Sequence, residues 1–242
     1  MIKLVSLILF ATVHSFFQKA NAQTQFTGWA GSFNTIKTGR QTSLHTDIQL
    51  RSTNEWEQIQ TILVRPGINF HVNKKTTLTA GYAFISNRRN INNISDLVPE
   101  HRIWEQLLYN HKWKNIFISH RFRLEQRFIS KVTAINNELE ANGTAYANRF
   151  RYFIRNIIPF KNEKTFTRGM FAALQNEVFI NIGNTANVNG EFFDQNRLYF
   201  ATGYRLNAKT DLEIGYMNQY VNGRSDQFTN NHILQLAGYI RL

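Results

Sequence analysis

No cysteine occurs among the 242 residues, so neither a disulfide framework nor a thiolate metal centre holds this fold. Proline is scarce at three copies and glycine modest at thirteen, which excludes a collagen-like or Pro/Gly-rich disordered chain. Past residue 22 no apolar run approaches the roughly 20 residues of a spanning helix, so a helical membrane protein is excluded. No repeat of about 20–50 residues is visible, which disfavours a propeller or solenoid. Carboxylates are also short: 16 Asp and Glu face 28 Lys and Arg, for a net charge of +12. A basic balance of this kind first suggests nucleic acid. Here the arginines recur at alternate positions of successive segments instead of gathering in a tail, so no nucleic-acid partner is expected.

The N-terminus reads as a secretory leader. Lys3 gives a positive start, residues 4–13 are apolar except for Ser6 and Thr12, and Ala20-Asn21-Ala22 supplies the small residues of a cleavage site. The expectation is a signal peptide over 1–22 and one domain over 23–242, exported from the cytosol.

Aromatic residues are plentiful, 14% of the chain, yet the mean hydropathy is only −0.36. Both follow if outward apolar and inward polar residues average out along strands. Residues 116–129 have this pattern: Ile116, Ile118, Phe122, Leu124 and Phe128 fall on one face, and Ser119, Arg121, Arg123, Glu125 and Arg127 on the other. Ten other strand-like segments follow the same period of two, at 25–34, 42–51, 59–70, 76–85, 101–112, 146–158, 169–182, 194–206, 210–221 and 229–242. Tight turns near 37–39, 73–75, 113–115 and 207–209 alternate with longer polar stretches at 86–99, 131–145, 183–191 and 222–228. Short turns at one end and long loops at the other are the asymmetry of an outer-membrane barrel. Because such barrels have even strand numbers, eleven segments imply ten strands, with the first segment outside, or twelve, with one hidden in 131–145. Pro66 marks a bulge or an edge. Trp29, Trp56, Tyr82, Phe84, Trp104, Tyr109, Trp113, Tyr204, Tyr216, Tyr220 and Tyr239 are expected in interfacial girdles. The fold class is therefore all-β, a transmembrane up-and-down antiparallel barrel of 10–12 strands with an Arg-rich polar interior.

A set of motifs occurs in order: Arg65-Pro66-Gly67, Ala80-Gly81-Tyr82, Glu100-His101-Arg102-Ile103-Trp104, the run from His120 through Phe128, Arg149-Phe150-Arg151-Tyr152, Gln175-Asn176-Glu177-Val178-Phe179, the run from Phe193 through Tyr199, the run from Gly215 through Tyr220, and Asn231-His232. With them the chain resembles the family called domain of unknown function 2490, secreted proteins frequent in Bacteroidota and taken to be outer-membrane β-barrels. The resemblance implies compartment and fold but no activity. Leu242 departs from the aromatic residue with which such barrels usually finish.

The interior set expected from the alternation is Asp47, Arg51, Arg65, Arg121, Arg123, Glu125, Arg127, Arg149, Arg151, Arg155, Glu177, Arg197, Arg205, Asp211 and Glu213. Buried charges need partners, so the first expectation is a paired Arg/carboxylate network filling a structural barrel. The second is a narrow channel for small anionic solutes, since arginine outnumbers carboxylate in that set. The third, a lipid-modifying enzyme, lacks a nucleophile–base pair: Ser119 and His120 are adjacent on a strand and face opposite ways, and no serine stands out beside His101 or His232. His101 and Glu105 have no third ligand at a metal spacing. No catalytic residue, metal or cofactor is expected. Arg88 and Arg89 are candidate contacts to lipopolysaccharide phosphates. The protein is expected to be a monomer among the lipids and lipopolysaccharide of a Gram-negative outer membrane.

Overall fold

The computed structural model describes residues 22–161, 165–225 and 227–242. All of the expected leader except Ala22 lies outside them. Among the described residues there are eleven strands: β1 (Ala22–Lys37), β2 (Thr42–Ser52), β3 (Ile59–His71), β4 (Thr76–Ile91), β5 (Ile94–Trp113), β6 (Ile116–Ile135), β7 (Glu138–Pro159), β8 (Gly169–Ile182), β9 (Phe193–Asn207), β10 (Thr210–Asn222) and β11 (Phe228–Arg241). Each pairs with its sequence neighbours, and β1 with β11 closes the barrel. That last pair is parallel, with Ala22 opposite Phe228 and Thr35 opposite Arg241. A parallel closing pair is what an odd count requires, so the parity argument for ten or twelve fails. The first segment is a barrel strand, and nothing is hidden in 131–145. Among the described residues no helix is long and apolar enough to cross a membrane.

The period of two sets the two faces. Outward, Ile48, Val64, Phe84, Ile103, Leu124, Leu174, Phe200, Ile214 and Leu236 are all exposed, one from each of nine strands. Inward, β2, β3, β6, β7 and β8 bury charge: Asp47, Arg65, Arg123, Glu125, Arg149 and Glu177 are each nearly inaccessible. A soluble barrel would carry the opposite arrangement.

Two of the expected long loops are instead two-residue hairpins. β4 and β5 pair as far as Ile91 with Ile94, and β6 and β7 as far as Ile135 with Glu138. Their turns are Asn92-Asn93 and Asn136-Asn137, all four residues at positive φ between 48° and 67°. Asparagine tolerates that region, and two such residues in succession form the turn whose twist matches a hairpin. The connectors 53–58 and 183–192 and residues 223–225 and 227 lie at the same end of the barrel, here termed the hairpin mouth. The C-terminus, the connectors 38–41, 72–75, 114–115 and 208–209, and residues 160–161 and 165–168 lie at the other, the C-terminal mouth.

Pro66 makes neither a bulge nor an edge. The register is unchanged on either side of it, Val64 facing Phe84 and Gly67 facing Gly81. That glycine pair has a packing role. A β-carbon on Gly67 would lie 2.7 Å from the Trp104 ring, and one on Gly81 would lie 2.4 Å from the Pro66 carbonyl oxygen and 2.6 Å from the same ring. Trp104, fully buried, therefore occupies the lumen on a floor of two glycines. Gly81→Ala is expected to destabilise the barrel by about 1–3 kcal/mol through overpacking against backbone. Gly238→Ala, whose β-carbon would meet nothing closer than 3.9 Å, is the neutral comparison in a denaturant titration.

The girdle expectation is corrected at three positions. Trp104, Trp29 and Tyr239 point into the lumen; Trp29 lies under the Arg51 guanidinium and Tyr239 under that of Arg155. Trp56, Tyr82, Phe84, Tyr109, Trp113, Tyr204 and Tyr216 remain exposed.

Candidate functional site

The lumen holds the densest chemistry, and inward alternation delivers it. Glu125, on β6 and 1% exposed, is the hub. Its Oε1 accepts from Arg151 Nη1 at 2.5 Å, and its Oε2 accepts from Arg149 Nη2 at 2.7 Å and Arg102 Nη1 at 3.3 Å. Arg65 and Arg123 each bring an Nη1 to within 4.0 Å of the same carboxylate. Arg151 carries the network across to Glu177, whose Oε1 accepts from Arg151 Nη2 and Arg121 Nη2, both at 2.7 Å. Toward the hairpin mouth, Glu100 Oε1 accepts from Arg102 Nε at 2.6 Å and Arg127 Nε at 2.7 Å, and Asp194 accepts from Arg149 Nη1 at 2.9 Å. Toward the C-terminal mouth, Arg155 donates to Glu213, and Arg205 grips Asp211 through Nε at 2.7 Å and Nη2 at 2.9 Å. Arg65 donates to Asp47 on the neighbouring strand.

All fifteen residues expected inside face the lumen. Three members of the network were not expected there: Glu100, Arg102 and Asp194. Glu100 and Arg102 continue an inward series through Trp104 and Gln106. That phase is legible once 86–99 is read as strand. Asp194 is reached through a register shift between Phe179 and Ile180, which turns it inward beside Gln195. No simple alternation would find it.

The network divides the interior. A cavity of about 710 Å³ opens at the hairpin mouth, lined by Arg89, Arg127, Lys131, Arg224 and Asp194 among others. The connector 183–192 narrows it, held by Arg224, which donates to the Val188 and Ala186 carbonyls at 2.7 and 2.6 Å. A cavity of about 770 Å³ opens at the C-terminal mouth. Between the two lies an inner chamber of about 110 Å³. Phe33, Arg121, Phe153, Arg155 and Tyr239 line both the chamber and the C-terminal cavity. The hairpin-mouth cavity has no lining residue in common with the chamber. The layer of Glu100, Arg102, Glu125 and Arg149 stands between them.

Arg88 and Arg89 do not form a paired cation, because successive residues of β4 face opposite ways. Arg88 donates to the Ile59 carbonyl at 2.9 Å and to Ser95 Oγ at 3.3 Å, while Arg89 lines the hairpin-mouth cavity. On the outer wall each candidate histidine meets a tyrosine: His101 Nδ1 with Tyr82 Oη at 2.5 Å, His120 Nδ1 with Tyr152 Oη at 2.9 Å, and His232 Nδ1 with Tyr216 Oη at 2.5 Å. Ser119, on the opposite face, donates to Asn110 Oδ1 at 2.6 Å. Glu105 accepts from Gln126 at 3.1 Å. Among the described residues no cluster of three His, Asp or Glu could hold a metal ion.

The family model described as "Protein of unknown function (DUF2490)" matches residues 26–230. An uncharacterized protein of Methylorubrum extorquens is 24% identical over 200 residues, 81% of this chain and 78% of that protein. Among solved structures the barrel is similar to a NanC porin in a rhombohedral crystal form, with a TM-score of 0.51 and 11% identity, over 89% of this chain and 98% of the porin chain. At that identity the likeness is one of fold.

Proposed function

The chain belongs to the DUF2490 family of proteins of unknown function, and from that premise we propose that it is an outer-membrane β-barrel with a structural, non-catalytic role, its lumen closed by a paired Arg/carboxylate layer. The observation that carries this reading is Glu125, which gathers hydrogen bonds from three arginines in the layer between the hairpin-mouth cavity and the inner chamber, two cavities that share no lining residue. Small barrels fill their interior with side chains, and charges there persist when paired and hydrogen-bonded. The exposed apolar outer face supports a lipid surround, and the fold likeness to a porin supports the outer membrane of a Gram-negative bacterium. The C-terminal mouth then faces the periplasm. Closure through β1 and β11 leaves no free strand edge, which favours a monomer among outer-membrane lipids and lipopolysaccharide.

The purified folded barrel is expected to give no steady current in planar bilayers. A steady, anion-selective conductance, reduced by Arg123→Gln and Arg151→Gln, would overturn the closed reading. It would establish a second one, a narrow passage for small anions gated at Glu125. The surplus of lumen arginines over carboxylates favours that second reading.

A further inference from the structure

Six arginines line the inner chamber: Arg51, Arg65, Arg121, Arg151, Arg155 and Arg197. Four of them have a carboxylate at hydrogen-bond distance: Asp47 for Arg65, Glu177 for Arg121, Glu125 and Glu177 for Arg151, and Glu213 for Arg155. The other two do not. Arg51 donates to the neutral Gln49 Oε1 at 2.7 and 3.3 Å, and no carboxylate among the described residues lies within ion-pair distance of it. Arg197 donates to the neutral Gln195 Oε1 at 3.1 Å. Its nearest carboxylate, Glu177, stands 4.0 Å away and is already held by Arg151 and Arg121.

Both arginines lie against one indole. The Arg51 guanidinium carbon is 3.9 Å from the Trp29 ring centre and that of Arg197 is 5.0 Å away, with Phe179 a further 4.6 Å contact for Arg197. A ring quadrupole eases the burial of a cation but brings no counter-charge. Two guanidiniums brought onto one ring, neither hydrogen-bonded to a carboxylate, repel each other in a poorly screened interior. Both line the chamber, which also presents the side-chain amides of Gln49, Gln175 and Gln235 as neutral hydrogen-bonding groups.

We propose that this chamber binds a small doubly charged oxyanion of the phosphate or sulfate class, with Arg51 and Arg197 as its principal cations and Trp29 as the surface that holds them. Guanidinium forks match the spacing of two oxyanion oxygens. About 110 Å³ accommodates an ion of five heavy atoms and its nearest waters, and it excludes nucleotides and sugar acids. The ion enters from the C-terminal mouth, because the residues shared between the two cavities lie on that side. The inference rests on the sealed-lumen reading in that the chamber is a blind end, not a stretch of an open pore.

The test is a melting titration of the purified mature barrel in detergent, followed by tryptophan fluorescence, with sodium phosphate or sulfate compared with sodium chloride at equal ionic strength. Phosphate should raise the midpoint saturably, by roughly 5–10 °C at a hundredfold excess over Kd. Arg51→Gln with Arg197→Gln should abolish that shift and, in chloride, melt no lower than the parent, since neither change removes a carboxylate's hydrogen-bonded partner. Arg241→Gln, at the mouth, should keep the shift. Equal wild-type midpoints in phosphate and chloride would overturn the site. A phosphate shift retained by the double variant would also overturn it, since the ion would then bind elsewhere. If the double variant does not fold, the wild-type titration decides, with the single Arg51→Gln variant expected to weaken phosphate binding about tenfold or more as one charge-assisted contact is lost. A barrel that conducts yet shows the phosphate shift would refute the seal and leave the site standing. A silent barrel with no shift would do the reverse.

Discussion

Glu125→Gln is expected to destabilise the barrel by about 3–5 kcal/mol, the effect of removing one partner from a buried ion cluster. Glutamine keeps the volume and one carbonyl acceptor, so the loss is one of charge. Arg102, Arg149 and Arg151 lose the anion that faces them, and Arg65 and Arg123 lose the carboxylate within 4.0 Å. Arg65 retains Asp47, Arg149 retains Asp194 and Arg151 retains Glu177, but Arg123 is left with Gln106 alone. The measurement is the denaturant midpoint of the refolded barrel in detergent, with Glu105→Gln as the comparison. Glu105 is exposed on the outer wall and bonds only Gln126 at 3.1 Å, so its neutralisation should change little. Added salt should not rescue Glu125→Gln, because a cluster this deeply buried is hardly screened. Equal midpoints for the parent and Glu125→Gln would remove the network from any structural role.

Most of the barrel was legible in the sequence because its alternation is a direct consequence of strand geometry. A residue such as Arg123 must face the lumen if Phe122 and Leu124 face out, and no tertiary information is needed to say so. What escaped of the architecture has three physical origins. Parity is a habit of barrels closed by an antiparallel pair, and the pairing of β1 with β11 is a long-range event that no local pattern encodes. Asn92-Asn93 and Asn136-Asn137 are polar and look like loop tips, although two consecutive residues that tolerate positive φ are themselves a hairpin signal. The third is Trp104. Its aromatic character suggested a girdle, and only the facing pair Gly67 and Gly81 shows that space was kept for it inside. Those glycines belong to the Arg-Pro-Gly and Ala-Gly-Tyr motifs, so three of the motifs that carried the family resemblance converge on one packed site. That Arg51 and Arg197 have no carboxylate at hydrogen-bond distance could not be read at all. Each alternates correctly, and only distances across the lumen separate them from their paired neighbours.

Ile68→Arg is expected to destabilise the barrel in a lipid bilayer by about 2–4 kcal/mol, the depth-dependent effect of a cation on a lipid-facing strand. Ile68 is 66% exposed on the outer wall, flanked in register by Leu44 and Ala80. On a water-soluble barrel the same exposure would make the change nearly neutral, within about 0.5 kcal/mol, and would improve solubility. The two environments therefore predict effects several-fold apart for one substitution. The choice of Ile68 isolates the solvent from the packing, because a side chain so exposed has few protein neighbours to disturb. Refolding yield and urea midpoint in phospholipid bilayers, set beside those in a short-chain detergent that lets a guanidinium reach water, separate the outcomes. A penalty confined to the bilayer assigns the outer face to lipid. Full tolerance in the bilayer would mean that this wall faces water, and a closed barrel with arginines inside and leucines outside would then need a protein partner covering its entire circumference.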